Sequence, residues 1–178
     1  MGRNVEIISK SCIWGCNILM VLVLLGTQNN SFYRLLEEVQ KNIDNGNIKD
    51  EVIVQKGYTK FESKDMEMYD QLPTDEIKEL IDKADLVITH GGVGSIITSI
   101  TKRKKVIAVP RLKKYKEHVN DHQLDIITSF NELGYIIGIN AVEELEDAII
   151  RAKDFNPKEY LQNTGNIVKI IENFIDNN

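Results

Sequence analysis

The 178-residue sequence predicts an α/β fold, a Rossmann-like doubly wound parallel sheet. Three observations predict it. Short apolar runs recur along the chain and are separated by longer stretches whose apolar residues follow helical spacing. The runs are nearly continuous rather than alternating, as in strands covered on both faces by crossover helices. One run leads directly into a glycine-rich turn, His90-Gly91-Gly92-Val93-Gly94-Ser95, that opens a helical pattern. Such a turn brings backbone N–H groups close to an anion and sets it on a helix dipole.

Each element has its own signal. The first strand is the eight-residue apolar run Ile18 to Leu25, ended by Gly26-Thr27-Gln28. Ser31 is a good helix N-cap by residue type, ahead of a stripe formed by Phe32, Leu35, Leu36, Val39 and Ile43. Asn45-Gly46-Asn47 stops that helix. Val52-Ile53-Val54 is a second strand, ended by Gly57, and Tyr58 to Tyr69 is a polar loop with room for a short strand. Pro73-Thr74-Asp75 opens a helix carrying Ile77, Leu80 and Ile81, which delivers the chain to the strand Leu86-Val87-Ile88.

After the glycine turn, Ile96, Ile97 and Ile100 form a helical face that ends at Lys102 to Lys105, where cations suit the dipole. Val106 to Val109 is the next strand, stopped by Pro110. Arg111 to Glu117 is a basic loop. A helix is expected from Val119 to Leu133, then a strand at Tyr135-Ile136-Ile137. Ala141 to Ala152 and Pro157 to Phe174 are two closing helices by their apolar spacing.

Bulk composition sets limits. The chain is 42% hydrophobic and 28% charged, with net charge −5, as expected of one globular domain with a full-sized core. The acidic balance argues against nucleic acid as the main ligand. Cys12 and Cys16 are too few for a disulfide framework and have no Cys/His partner set for zinc. A reduced, cytoplasmic setting fits. Arg3 and Lys10 ahead of an apolar run superficially resemble a signal peptide, but no small-residue cleavage site follows and the run is too short to span a membrane. Residues 1–17 are expected to be an extension, and 18–178 one domain.

Ligands of doubly wound sheets sit at the carboxyl ends of the strands. Three loops should converge there: Gly26 to Ser31, His90 to Ser95, and Pro110 to Gln123. The first turn reads GTQNNS rather than G-x-G-x-x-G, and the chain has no GxxxxGK[ST], GxSxG or HExxH. What remains is a phosphate-cradling turn, a basic loop and the polar string Glu117-His118-Val119-Asn120-Asp121-His122-Gln123. That inventory suits a sugar nucleotide, with backbone amides for the diphosphate and polar side chains for hydroxyls.

Three motifs in order, THGGVGS, VPR and HVNDHQ, resemble the C-terminal, donor-binding half of family 28 glycosyltransferases of the GT-B class. The start, VLVLLGTQNNSFYRLL, is similar to the opening of the short, split members of that family. These include the UDP-GlcNAc transferase catalytic subunit of the dolichol pathway and bacterial exopolysaccharide and capsule relatives. The resemblance covers roughly Ile18 to Ile150. It implies an inverting, metal-free hexosyltransferase with a UDP-sugar donor, which is a substrate rather than a cofactor. Gly91, Gly92, Val93, Gly94, Ser95 and Thr98 would hold UDP, and His122, Gln123 and Asn120 would reach the sugar. Gly26, Thr27, Gln28, His90 and Arg111 would line the cleft. The acceptor half would come from a membrane-anchored subunit that presents a polyprenyl-diphosphate-linked acceptor and carries the general base. That would place the chain in the cytoplasm, on the inner face of the membrane through its partner.

Thr98 departs from the pattern, since related sequences often carry a ribose-binding glutamate there. The departure keeps open a non-catalytic subunit that stabilises or activates a partner transferase. Plainer roles also stand for single residues. His90 can be fixed by a backbone hydrogen bond beneath the turn. Arg111, Lys113, Lys114 and Lys116 can steer a diphosphate, meet anionic lipid or a partner, or merely be solvated.

Overall fold

A computed structural model describes residues 20–160. Within them the chain alternates strand and helix almost throughout. The elements are β1 (Met20–Leu24), α1 (Tyr33–Asp44), β2 (Glu51–Gln55), β3 (Glu67–Tyr69), α2 (Thr74–Lys83), β4 (Leu86–His90), α3 (Val93–Thr101), β5 (Lys105–Val109), α4 (His122–Glu132), β6 (Ile137–Gly138) and α5 (Leu145–Asp154). Single 3₁₀ turns lie at Lys113–Tyr115 and Val142–Glu144.

The six strands form one sheet in the order β3-β2-β1-β4-β5-β6, and every pairing is parallel. This is the doubly wound order, in which the chain reverses direction across the sheet between β1 and β4. Strand periodicity explains the two cores. Val21, Val23 and Leu25 point to one face and pack with Leu35, Leu36, Ile149 and Ala152 of α1 and α5. Met20, Leu22 and Leu24 point to the other and pack with Ile81, Ile96, Ile100 and Phe130 of α2, α3 and α4. Both faces of β1 are buried, which is why its sequence shows no polar alternation.

Three boundaries differ from expectation, each for a local reason. Ser31 does not cap α1. Phe32 takes the N-cap place, and its N–H donates to Oγ1 of buried Thr59 at 3.0 Å, so the cap comes from a different loop. The helix expected from Val119 begins at His122, because residues 119–121 turn to bring Asn120 Oδ1 to the N–H of His122. The strand expected at Tyr135 to Ile137 pairs only at Ile137 and Gly138. Tyr135 is still tied back to α4, its N–H donating to Phe130 O at 3.1 Å after Gly134 turns with φ +77.

The loop after β2 does contain a short strand, β3. The extension at 1–17, both cysteines and most of the expected helix from Pro157 to Phe174 lie outside the described residues. Its described portion, 157–160, is not helical, and the Tyr160 ring meets Tyr135 edge-on at 5.8 Å. No helix among the described residues is long and apolar enough to cross a membrane.

Candidate functional site

The carboxyl ends of β1, β4 and β5 are adjacent in the sheet, so the three loops identified from the sequence do converge. They meet around His90, the last residue of β4. Its ring is nearly buried, with Nδ1 3.3 Å from the carbonyl of Leu24. A carbonyl only accepts, so Nδ1 carries the proton and Nε2 is the acceptor. Burial, and next the Arg111 charge, push the imidazole down to about 4, which keeps it neutral.

The ring fixes two of the glycines. A Cβ at Gly26 would lie 2.6 Å from His90 Cε1, and one at Gly92 would lie 2.3 Å from Nε2. Gly26 also has φ +75, which excludes most side chains on conformation alone. These glycines therefore admit an imidazole. Gly91 is small for another reason, since its Cβ would sit 2.7 Å from Gln123 Cβ.

Gly94 is different. It is exposed, and nothing lies within 4 Å of where its Cβ would be. It stands in the first turn of α3, whose N-cap Gly92 supplies no side-chain cap. The leading N–H groups of a helix have no partner inside it, so those of Val93, Gly94 and Ser95 are available where the dipole is positive. The helix N-terminus thus opens onto free space at the point where the strand order reverses.

Gln123 is a bracket between two strand ends. Its Oε1 accepts from the N–H groups of Gly91 and Arg111, each at 3.0 Å. The carboxamide oxygen is therefore committed to backbone, and only its NH₂ group can serve a ligand. Asn120 and His122 sit beside it at the start of α4, half-buried, with His122 Nδ1 3.6 Å from Asp125. Gln28 reaches the same cluster, its Nε2 3.2 Å from Nε2 of His118, while Thr27 is exposed nearby. Thr98 donates to the carbonyl of Gly94 at 2.8 Å, one turn back along α3.

Arg111 lies inside the protein. It is 1% exposed, donating to Leu25 O at 2.8 Å and Asn30 O at 2.7 Å, with its guanidinium 4.9 Å from the Phe32 ring. Burial pulls its pKa down to about 10 despite the nearby Glu117 carboxylate. Its task is to tie the loop after β1 to the loop after β5. Arg34, which the sequence did not single out, and Glu117, the first residue of the polar string, complete that tie. Glu117 is buried and takes both Nε and Nη2 of Arg34, at 2.7 and 2.9 Å, together with the N–H of Leu112. A cleft of about 610 Å³ at the ends of β2 and β3, lined by Lys56, Tyr58, Lys60 and Asp70, was also not legible. It adjoins the centre through Gly57, whose Cβ would meet the carbonyl of Gly26 at 2.6 Å.

Residues 20–177 match the glycosyltransferase family 28 C-terminal domain. The chain belongs to that family. It is 37% identical over 82 residues to the UDP-N-acetylglucosamine transferase subunit ALG13 of Candida glabrata, covering 45% of the chain and 39% of that relative. The subunit of the same name from Candida albicans is 31% identical over 93 residues, covering 52% and 30%. The matched stretches thus span well under half the length of these relatives. An NMR solution structure of ALG13 superposes with TM-score 0.57 at 18% identity, over 87% of this chain and 94% of that one. MurG of Acinetobacter baumannii gives 0.51 at 14%, over 88% and 50%. The fold is therefore the Rossmann-like half of the GT-B glycosyltransferases, as the family 28 motifs implied.

Proposed function

We propose that this family 28 domain is the catalytic, UDP-sugar-binding subunit of a two-component inverting glycosyltransferase. In this reading it transfers a hexose from a UDP-sugar to a polyprenyl-diphosphate-linked acceptor in exopolysaccharide, capsule or lipid-linked oligosaccharide synthesis. The observation that carries it is the uncapped first turn of α3, open at Gly94 and set where the sheet reverses. The N–H groups of Val93, Gly94 and Ser95 would take the diphosphate, and the helix dipole would stabilise the charge that grows on UDP as the glycosidic bond breaks.

Around that point, neutral His90 offers a ring nitrogen to a hydroxyl, and the NH₂ group of Gln123 offers a donor to the sugar. Asn120, His122, Thr27 and Gln28 border the same mouth. The acceptor half and the general base belong to a membrane-anchored partner subunit. The chain then works in the cytoplasm, held at the inner face of the membrane.

Calorimetric titration with UDP tests the reading. Saturable binding is expected, weakened at least tenfold by Gly94→Val while the melting temperature stays unchanged. One specific observation favours the non-catalytic alternative: Thr98 turns its hydroxyl back onto Gly94 O and brings no carboxylate for a ribose. Absence of UDP and UDP-sugar binding, with the partner subunit added, would sink the catalytic reading in favour of that one.

A further inference from the structure

The loop between β5 and α4 has a surface that the nucleotide site does not use. Lys113, Lys114 and Lys116 are all exposed, and none of them pairs with a carboxylate among the described residues. Two acidic groups of the same loop are engaged with other partners. Glu117 is buried against Arg34, and Asp121 accepts the backbone N–H of Lys113 at 2.7 Å. Beside the lysines, Tyr115 is 49% exposed and Val119 is 75% exposed. Val119 is the most exposed of the large apolar side chains among the described residues.

The loop is also preformed. Its base is closed by Glu117 N–H on Leu112 O at 3.3 Å and by Leu112 N–H on Glu117 Oε2 at 3.0 Å. Lys116 adopts a left-handed conformation, φ +59, to turn the chain inside that closure. A projection of this kind docks without first being ordered, so little of its attraction is lost to conformational entropy.

We propose that this loop is a membrane-contact element through which the chain itself docks on an anionic lipid surface. Lysines act as compact point charges with no demand for bidentate geometry, which suits a diffuse layer of headgroups better than one shaped phosphate site. A tyrosine and a protruding valine among them match the amphipathic level of a bilayer interface. The chain carries net charge −5, yet that field is screened within a Debye length, so the local cluster decides the contact. Gln28 ties the loop to the end of β1 through His118, and Gln123 ties the adjoining helix start to Gly91. Docking here would therefore turn the mouth of the site toward the membrane, a consequence that rests on the function proposed above; the contact itself does not.

Co-sedimentation of the full chain with phosphatidylserine-rich and with pure phosphatidylcholine vesicles tests it, in the absence of any partner. Salt-sensitive binding to the anionic vesicles alone is expected. Each lysine contributes about fivefold, so the combined K113Q, K114Q and K116N variant should lose about a hundredfold. Asparagine is chosen at 116 because it tolerates the left-handed conformation. V119D should also weaken binding and guards against misfolding of the triple variant. A control triple, K64Q, K83Q and K153Q, makes the same charge change at exposed sites elsewhere and should bind as the parent does. Absence of binding at low salt overturns the proposal, as does an equal loss in the control. Release of vesicle-bound protein by inorganic pyrophosphate at concentrations that leave ionic strength unchanged would overturn it too, by making the loop a soluble-phosphate site. UDP titration of the triple variant should match the parent, so failure here leaves the nucleotide reading untouched.

Discussion

At Gly94 a side chain has room, whereas at Gly92, two residues away, it does not. The contrast separates a glycine that faces open space from one that faces its own protein. Gly92→Ala forces a methyl group into the His90 ring and should cost about 1–3 kcal/mol, read as a lower urea midpoint. The same change should weaken UDP binding only through that distortion, whereas Gly94→Val should act on binding alone. His90 makes a separate prediction with pH. Its folded pKa of about 4 lies below the ordinary 6.5, so the unfolded chain binds more protons between those values. Stability should therefore fall as pH drops from about 6.5 toward 4, by roughly 3 kcal/mol from this residue. Urea unfolding at pH 7 and pH 4.5, compared between the parent and His90→Asn, isolates that contribution; equal slopes would refute it.

Between elements, the Arg34, Glu117 and Arg111 group joins α1 and the loops after β1 and β5 with two cations and one carboxylate. Arg34 Nη1 and Arg111 Nε have no hydrogen-bond partner, so the group already carries unmet polar atoms. Removing its one anion by Glu117→Gln should be severe, about 3–5 kcal/mol by urea titration, because one buried and one half-buried cation would remain. Thr59→Ala should cost about 1–3 kcal/mol, since it strips the buried N–H of Phe32 of its acceptor. The strands and helices were legible because burial on both faces writes itself into local apolar periodicity. These ties were not. Thr59 caps a helix 27 residues earlier, and Glu117 meets Arg34 across 83 positions, distances over which no local pattern speaks. Arg111, expected to line the cleft, is instead buried, and this was not legible for the related reason that nothing local to a basic loop announces the three carbonyls gathered around it.

Across the whole molecule, the candidate site lies where the sheet reverses direction between β1 and β4. The sequence motifs assign Gly91, Gly92 and Gly94 together to UDP and Gly26 to the cleft, since spacing alone cannot tell one glycine's surroundings from another's. The structure divides them into Gly94, which is open, and Gly26, Gly91 and Gly92, which accommodate side chains. Under the proposed function, the isolated chain should bind UDP and show no measurable sugar transfer until an acceptor-binding subunit is supplied. A radiolabelled transfer assay with and without that subunit checks this, and full activity of the chain alone would refute it.

The imidazole of His90 fills space that a Gly92 side chain would need, and this orders the substitutions the domain can accept over time. Gly92 has an ordinary backbone conformation, φ −78, and the three atoms nearest an added Cβ all belong to the ring. His90→Ser followed by Gly92→Ala passes through an intermediate with a small void, while the reverse order passes through a steric clash. The two changes should be strongly non-additive, with the double variant more stable than the sum of the singles. Gly26, held by its positive φ as well as by the ring, should stay glycine along either route.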